Sequence, residues 1–261
     1  MGKNVSAIIC AAGPASRFGG QSGSPDVKSR SAFSGLRKKQ FVDVAGRAVF
    51  LRSIELFANR DDVKQILLAI SPGDEELVSV KWGANLKFFN VKLCFGGAER
   101  FETVSKALVL VKDDIDLIAV HDAVRCCVTA ELIDEVIASA AKNGAAIPAC
   151  PVSATIKEVK DKTIIRTVER SNLYEAQTPQ VFEASLLKKA YTNLKNLKDS
   201  KISDDSQLVE ALGRKVAIVE ADSSNIKITR QSDIAIAEAI LKSRPKPLPE
   251  GPIGPYIEAQ W

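Results

Sequence analysis

Arg17 closes the small-residue stretch Ala11-Ala12-Gly13-Pro14-Ala15-Ser16, and Arg37, Lys38 and Lys39 bring three more cations further along. Small side chains let a backbone approach a ligand closely, and Gly13 reaches dihedrals closed to other residues. Successive backbone N–H groups in such a turn can line an anion site, to which Arg17 adds a fixed charge. Cations on both flanks of a small-residue turn suit a nucleoside triphosphate. The spacing is not G-x-x-x-x-G-K-[ST], which speaks against a P-loop, and not G-x-G-x-x-G, which weakens a dinucleotide reading. A turn of this kind is also an ordinary strand-to-helix connection, so the remainder of the chain must decide.

Other chemistries find little support. His121 is the only histidine, which excludes a His-rich zinc site; a Ser-His-Asp triad would need that one residue. Cys10, Cys94, Cys126, Cys127 and Cys150 form no C-x-x-C pair and are odd in number. They read as free thiols in a reducing cytosol. With 36 basic and 32 acidic residues, the net charge of +4 points to local phosphate handling rather than a nucleic-acid footprint. No run reaches membrane-spanning length, and the first strand starts so near Met1 that no signal or transit peptide is expected. A cytoplasmic location follows as the expectation.

The elements that would position these residues alternate. Apolar runs at Val5–Cys10, Gln65–Ile70, Val91–Phe95, Asp116–Val120 and Ala145–Val152 read as buried strands. Helical periodicity lies between them at Ala48–Ala58, after Ser71-Pro72-Gly73-Asp74, at Phe101–Val111 and, capped by Thr129, at Glu131–Lys142. Alternation of this kind implies right-handed crossovers and a mostly parallel α/β sheet. Ligands bind such sheets at the carboxyl ends of strands, and here those ends carry AAG, GGAER and HDAVR.

From Pro151 the pattern changes. Ser153–Val159 and Thr163–Val168 alternate, joined by Lys160-Asp161-Lys162, and read as a hairpin. A lone hairpin is marginal in water, so it is expected to pack on something, such as a second subunit. The chain returns through Tyr174–Phe182. Helices follow at Ala184–Leu194 and from Ser203, then a strand at Val216–Glu220 and a final helix at Ser232–Lys242. Ser224–Thr229 reads as a short strand presenting Lys227. The Gly- and Ser-rich stretch 19–35 reads as a flexible insertion, expected to close over a bound triphosphate. The Pro-rich stretch 244–255 opens a loose tail, 244–261. The main domain is thus expected over 1–243, with the arm at about 151–171.

The motifs AAGPASRF, KKQ, ISPGD, GGAERFETV, VHDAVR, PVSATIK, TVERSNLYEAQTPQVF, ISDDSQLVEALG and NIKIT stand in one order. In that order the sequence resembles the 2-C-methyl-D-erythritol 4-phosphate cytidylyltransferases of the non-mevalonate isoprenoid pathway. Less closely it is similar to ribitol-5-phosphate cytidylyltransferases, which share the scaffold. The resemblance implies a Rossmann-like nucleotidyltransferase sheet with a protruding β-hairpin that clasps a second subunit in a homodimer. It also implies CMP transfer from CTP to a polyol phosphate, with pyrophosphate released and Mg²⁺ held mainly through the CTP phosphates. By the same resemblance Arg17 and Lys39 stabilise triphosphate charge in the transition state. Ala11, Ala12, Gly13, Gly97, Ala98 and Thr103 hold the cytosine, Asp122 and Ala123 lie near the ribose, and Arg125, Thr155, Arg170, Ser203 and Lys227 surround the polyol phosphate. No side chain is assigned as a metal ligand.

The chemistry suits those residue types. A phosphate monoester has its second pKa near ~6, so the nucleophile is mostly dianionic at neutral pH and needs no general base. The obstacle is anion meeting anion, which Lys and Arg clamps relieve. The sequence departs from the family at several points. Pro14 and Lys38 stand where a small residue and a proline are usual, Cys126 replaces proline, Ser203 replaces threonine, and Ala154 replaces an aspartate. The segment between Arg17 and Lys39 is longer than in typical members. A nucleotide-binding regulator without catalysis is the alternative of another class.

Overall fold

The computed structural model describes residues 2–13, 38–196 and 202–245. Its centre is β1 (Val5–Cys10), flanked on both sides by parallel strands. That placement explains an apolar run without alternation, because a parallel strand under helices on both faces meets no water. The chain resumes with a 3-10 turn, Lys39–Phe41, and a small antiparallel pair, β2 (Asp43–Val44) and β3 (Arg47–Ala48). Then come α1 (Val49–Ala58), β4 (Val63–Ile70), α2 (Glu75–Phe88), β5 (Val91–Phe95), α3 (Arg100–Leu108), β6 (Leu117–Asp122), α4 (Ala130–Asn143) and β7 (Ala145–Pro151).

β8 (Ile156–Lys160) and β9 (Thr163–Val168) form a separate two-stranded sheet, the expected hairpin. Its turn residues Asp161 and Lys162 have φ of 50° and 63°, the left-handed pair that two-residue hairpin turns require. Val159, Ile164 and Ile165 are exposed on it. The chain re-enters the main sheet as β10 (Tyr174–Ala176) and β11 (Gln180–Glu183), both antiparallel to β7. α5 (Ala184–Thr192), α6 (Asp205–Glu210), β12 (Ala217–Glu220) and α7 (Ser232–Ser243) complete the order.

The sheet runs β12-β7-β11-β6-β1-β4-β5. Alternate residues of its strands face opposite layers. Ile9 and Leu68 pack with Phe50, Phe57 and Val136 of α1 and α4, whereas Ile8 and Leu67 pack with Val104, Leu187 and Leu208 of α3, α5 and α6. A third cluster joins Val49, Cys127 and Ile228 to Ala237 of α7.

Two expectations need correction. β6 does not stop at Val120 but carries His121 and Asp122 into the sheet, paired in register with Ile9 and Cys10. Residues 224–229 are not a strand: the Ile228 N–H donates to the Val124 carbonyl, and no ladder forms. The insertion 19–35 and the tail beyond residue 245 lie outside the described residues. Arg244, where that tail was expected to begin, donates to the carbonyls of Cys127 and Val128. The five cysteines are free thiols. Among the described residues no helix is long and apolar enough to cross a membrane.

Candidate active site

Because β1 and β6 run side by side, their carboxyl ends bring the AAG turn and Asp122 together. The Asp122 side chain is only 8% exposed, yet three cations converge on it. Lys227 Nζ lies 2.6 Å from Oδ2, Arg100 Nε 3.1 Å from Oδ1, and Arg125 Nε 3.9 Å from Oδ2. Burial alone would raise the pKa of this carboxyl; the charges of Arg100, Lys227 and Arg125 overcome it and hold the group well below the usual carboxylate range. Arg100 also donates to Asp205 at 2.6 Å, and Asp205 accepts the Tyr191 hydroxyl at 2.5 Å. Arg125 directs its terminal nitrogens to the carbonyls of Asn225 and Ala176. A cleft of about 200 Å³ opens here, lined by Arg100, Asp122, Arg125, Gln180, Ser203 and Lys227 among others. The Nη2 of Arg100 is buried with no partner among the described residues.

Beside this cleft the backbone of the turn is tied down. Gln40 Nε2 donates to the Ala11 carbonyl at 2.8 Å, and Ser71 Oγ donates to the Ala12 carbonyl at 2.8 Å. Gly96 packs so closely that a Cβ there would fall 2.3 Å from the Ala12 Cβ. At Gly97 a Cβ would fall 2.3 Å from the Glu102 Cβ. Thr103 Oγ1 accepts from the Gly97 N–H at 3.0 Å and donates to the Glu99 carbonyl, so its hydroxyl shapes this loop. Glu99 and Glu102 form a capping box at the start of α3, with Glu102 also accepting the Ala98 N–H at 2.8 Å.

Of the two adjacent lysines, Lys38 has a buried carboxylate as its partner. Lys38 Nζ sits 2.6 and 2.8 Å from the two oxygens of Asp74, whose side chain is 2% exposed. Lys38 is therefore committed to that carboxylate. Lys39 begins the 3-10 turn, whose Phe41 stacks on Trp82 at 5.5 Å and meets Phe50 edge-on.

His121 is fully buried, its ring 5.5 Å from that of Phe57. Its Nδ1 is 3.0 Å from Thr178 Oγ1, which also accepts the Asp122 N–H at 3.1 Å. Burial pushes its pKa down to about 4, against partial support from the Asp122 charge. A neutral, sealed imidazole is no proton shuttle for a substrate, and the triad possibility falls with it.

Of the residues expected from sequence, Asp122, Arg125, Ser203 and Lys227 line one cleft. Ala11, Ala12, Gly13, Gly97 and Ala98 lie on the loops, Gln40 reaching the Gly13 carbonyl at 3.5 Å, Thr103 stands in the first turn of α3, and the Ala123 N–H donates to the Cys10 carbonyl. Thr155 and Arg170 are exposed at the base of the hairpin, where Arg170 donates to the Ser153 carbonyl; they are not among the cleft-lining residues. Arg17 lies outside the described residues. Arg100, Asp205, Gln177, Thr178 and Asn225 were not singled out from sequence, although Arg100 stands inside the GGAER motif. Among the described residues no three His, Cys, Asp or Glu side chains cluster as a metal cage.

A mostly parallel α/β sheet with a cationic cleft and a close-packed small-residue turn at its strand ends has the architecture of a nucleotidyltransferase. Residues 5–243 match the family profile of 2-C-methyl-D-erythritol 4-phosphate cytidylyltransferase, and the chain belongs to that family. The 2-C-methyl-D-erythritol 4-phosphate cytidylyltransferase of Endomicrobium trichonymphae is 41% identical over 239 residues, covering 91% of this chain and 98% of that protein. Among solved structures, the 4-diphosphocytidyl-2C-methyl-D-erythritol synthase of Anaerococcus prevotii is similar with a TM-score of 0.74 and 31% identity. It covers 92% of this chain and 96% of its own. The cytidylyltransferase of Thermus thermophilus gives 0.72 and 30%, covering 92% and 99%.

Lys38→Met strands the buried Asp74 charge and should cost about 1–3 kcal/mol in urea unfolding, allowing for the partial exposure of Lys38. Removing both charges in Lys38→Met/Asp74→Leu should recover most of it; a single variant as stable as wild type would show that the pair does nothing. For His121 the unfolded chain binds the proton near pH ~6.5 and the folded chain only near about 4. Its contribution is therefore complete above pH ~6.5 and lost as pH falls toward 4, by roughly 3 kcal/mol. His121→Asn, which keeps an amide for Thr178, should lack this slope between pH 6.5 and 4.

Proposed function

We propose that this chain transfers the cytidylyl group of CTP to 2-C-methyl-D-erythritol 4-phosphate, giving the CDP-polyol and pyrophosphate. The observation that carries this reading is the three-cation cleft around Asp122, at the strand ends of a chain belonging to that cytidylyltransferase family over residues 5–243. The acceptor's phosphate monoester is largely dianionic at neutral pH. One of its oxygens bonds to the α-phosphorus of CTP while the bond from that phosphorus to the α–β bridging oxygen breaks, and pyrophosphate departs. No proton need be removed, which agrees with the burial of the only histidine.

What the protein must supply is positioning and positive charge. Lys227 and Arg125 approach the acceptor phosphate from the Asp122 side, Ser203 offers a hydroxyl, and Arg17 and Lys39 hold the triphosphate. The AAG backbone with Gly97, Ala98 and Thr103 forms the cytosine wall, and the close packing of Gly96 and Gly97 is suited to backbone recognition of the exocyclic amine. Mg²⁺ supplies charge neutralisation when it arrives on the CTP phosphates. The ion would be held mainly through those phosphates: both oxygens of Asp122 already face Lys227, Arg100 and Arg125, and no side chain is assigned as its ligand. Ala154, beside Thr155, has no side-chain hydrogen bond to offer a polyol hydroxyl.

The hairpin is the element by which two copies would form a homodimer, in the cytoplasm. Its exposed Val159, Ile164 and Ile165 have too little support within one chain. Thr155 and Arg170 at its base then serve the neighbouring copy's cleft.

The function is tested by pyrophosphate release with CTP and each acceptor. Release is expected with methylerythritol phosphate; release with ribitol 5-phosphate alone, or with neither, would overturn the assignment. The arm is tested by mixing Lys39→Ala and Arg170→Ala proteins, each nearly inactive. Random re-pairing should restore one site in each mixed dimer and about a quarter of wild-type activity. Activity that stays at the level of the separate variants, with subunit exchange demonstrated, would place Arg170 in its own chain's site.

A further inference from the structure

Lys227 belongs to a segment that is neither helix nor strand, yet its ammonium meets Asp122 at 2.6 Å. Two buried amides hold that segment. Asn225, 2% exposed, donates its Nδ2 to Gln177 Oε1 at 2.8 Å and to the Thr178 carbonyl at 3.0 Å. Gln177, 4% exposed, donates its Nε2 to the Asp222 carbonyl at 2.8 Å. The two side chains thus close a ring with the turn from residue 222 to 225. Gln177 is anchored in turn, its N–H donating to the Pro148 carbonyl of β7. The Asn225 carbonyl accepts Arg125 Nη1 at 2.6 Å, so the same clasp fixes a second cation of the Asp122 group. Beyond Lys227, Ile228 is buried in the α7 cluster. A lysine on a long flexible stem is here delivered to one place by its backbone.

We infer that Asn225 and Gln177 are positioning residues for the reaction, setting the height and direction of Lys227 over Asp122; Gln177 borders the cleft, but its side-chain amide is spent on the Asp222 carbonyl and on Asn225. The inference rests on the function proposed above. A residue that only held the fold together would lower stability and leave each surviving molecule fully active. A clasp acting mainly through Lys227 must lose most of its effect on turnover once Lys227 is gone, and that difference separates the two.

The experiment is a double-mutant cycle on the full chain, assayed well below the unfolding midpoint. Asn225→Ala should lower kcat on the order of 10²-fold, as a displacement of about 1 Å can, while KM for CTP changes less than about twofold. In a Lys227→Ala background the same substitution should cost on the order of tenfold or less, the part that still acts through Arg125. Equal fold losses in both backgrounds would overturn the inference. Asn225→Asp and Gln177→Glu keep the side-chain shapes and remove the donors; they stand in should the alanine variant fail to fold, with the same pattern expected. A readout without turnover separates this inference from the assignment of substrate. The acylation rate of the Lys227 amine, followed by mass spectrometry, should rise several-fold when the clasp is cut. An unchanged rate would refute the clasp, and a raised one would support it even in a chain that released no pyrophosphate.

Discussion

Three like charges do not gather within a few ångströms of one another unaided, and Asp122 is what gathers them. Its carboxylate sits in register with Cys10 because β6 continues two residues beyond its apolar run. Arg100 comes from α3, Arg125 from the loop after β6, and Lys227 from a distant loop. Ion pairs this well buried contribute little net stability, since desolvation offsets most of the attraction. Their effect is on placement: partly dehydrated cations already aimed at one small volume need no reorganisation when an anion enters. The neighbouring thiol shows the reach of this environment. Burial above all pushes Cys10 up to about 12, Arg100 opposes, and Asp122 and Asp205 add to the rise. A cysteine at the end of β1, paired with Asp122 across the sheet, is thereby kept protonated and chemically quiet.

Much of this was legible from residue order because the signals were local. Apolar runs marked the buried strands, Thr129 marked a helix start, and the AAG and HDAVR stretches marked strand ends. What escaped was set by partners remote in sequence. Arg100 reads as one more cation at a helix start until Asp122 and Asp205 are seen against it. Gln177 and Asn225 are ordinary polar residues in sequence, and only their burial 48 positions apart turns them into a unit. Lys38 and Lys39 cannot be told apart by type, and the buried Asp74 that takes Lys38 lies 36 residues away.

The stretch around Lys227 shows a subtler limit. Alternation of Ile226, Lys227 and Ile228 matches a strand, and the apolar members do turn inward against α7. Periodicity reports which side chains are buried but says nothing of where the backbone's own donors and acceptors go. Here they go to Val124 and to the Arg125 side chain instead of a ladder. The segment keeps the burial pattern of a strand without its hydrogen bonds.

The base of the hairpin has a different kind of consequence. The Val152 N–H donates to the Leu173 carbonyl at 3.0 Å, directly beside the β7–β10 pairing. The excursion therefore leaves and re-enters the sheet through one closed gate, like a cassette plugged into a frame. Apart from Thr155 and Arg170 at its base, whatever lies between those two residues can be lengthened, shortened or exchanged at a loop-closure cost that grows only with the logarithm of its length. The frame carrying Asp122 would not register the change. Arm and catalytic scaffold can thus diverge at separate rates, and an arm from another source could be grafted in without repacking a single strand.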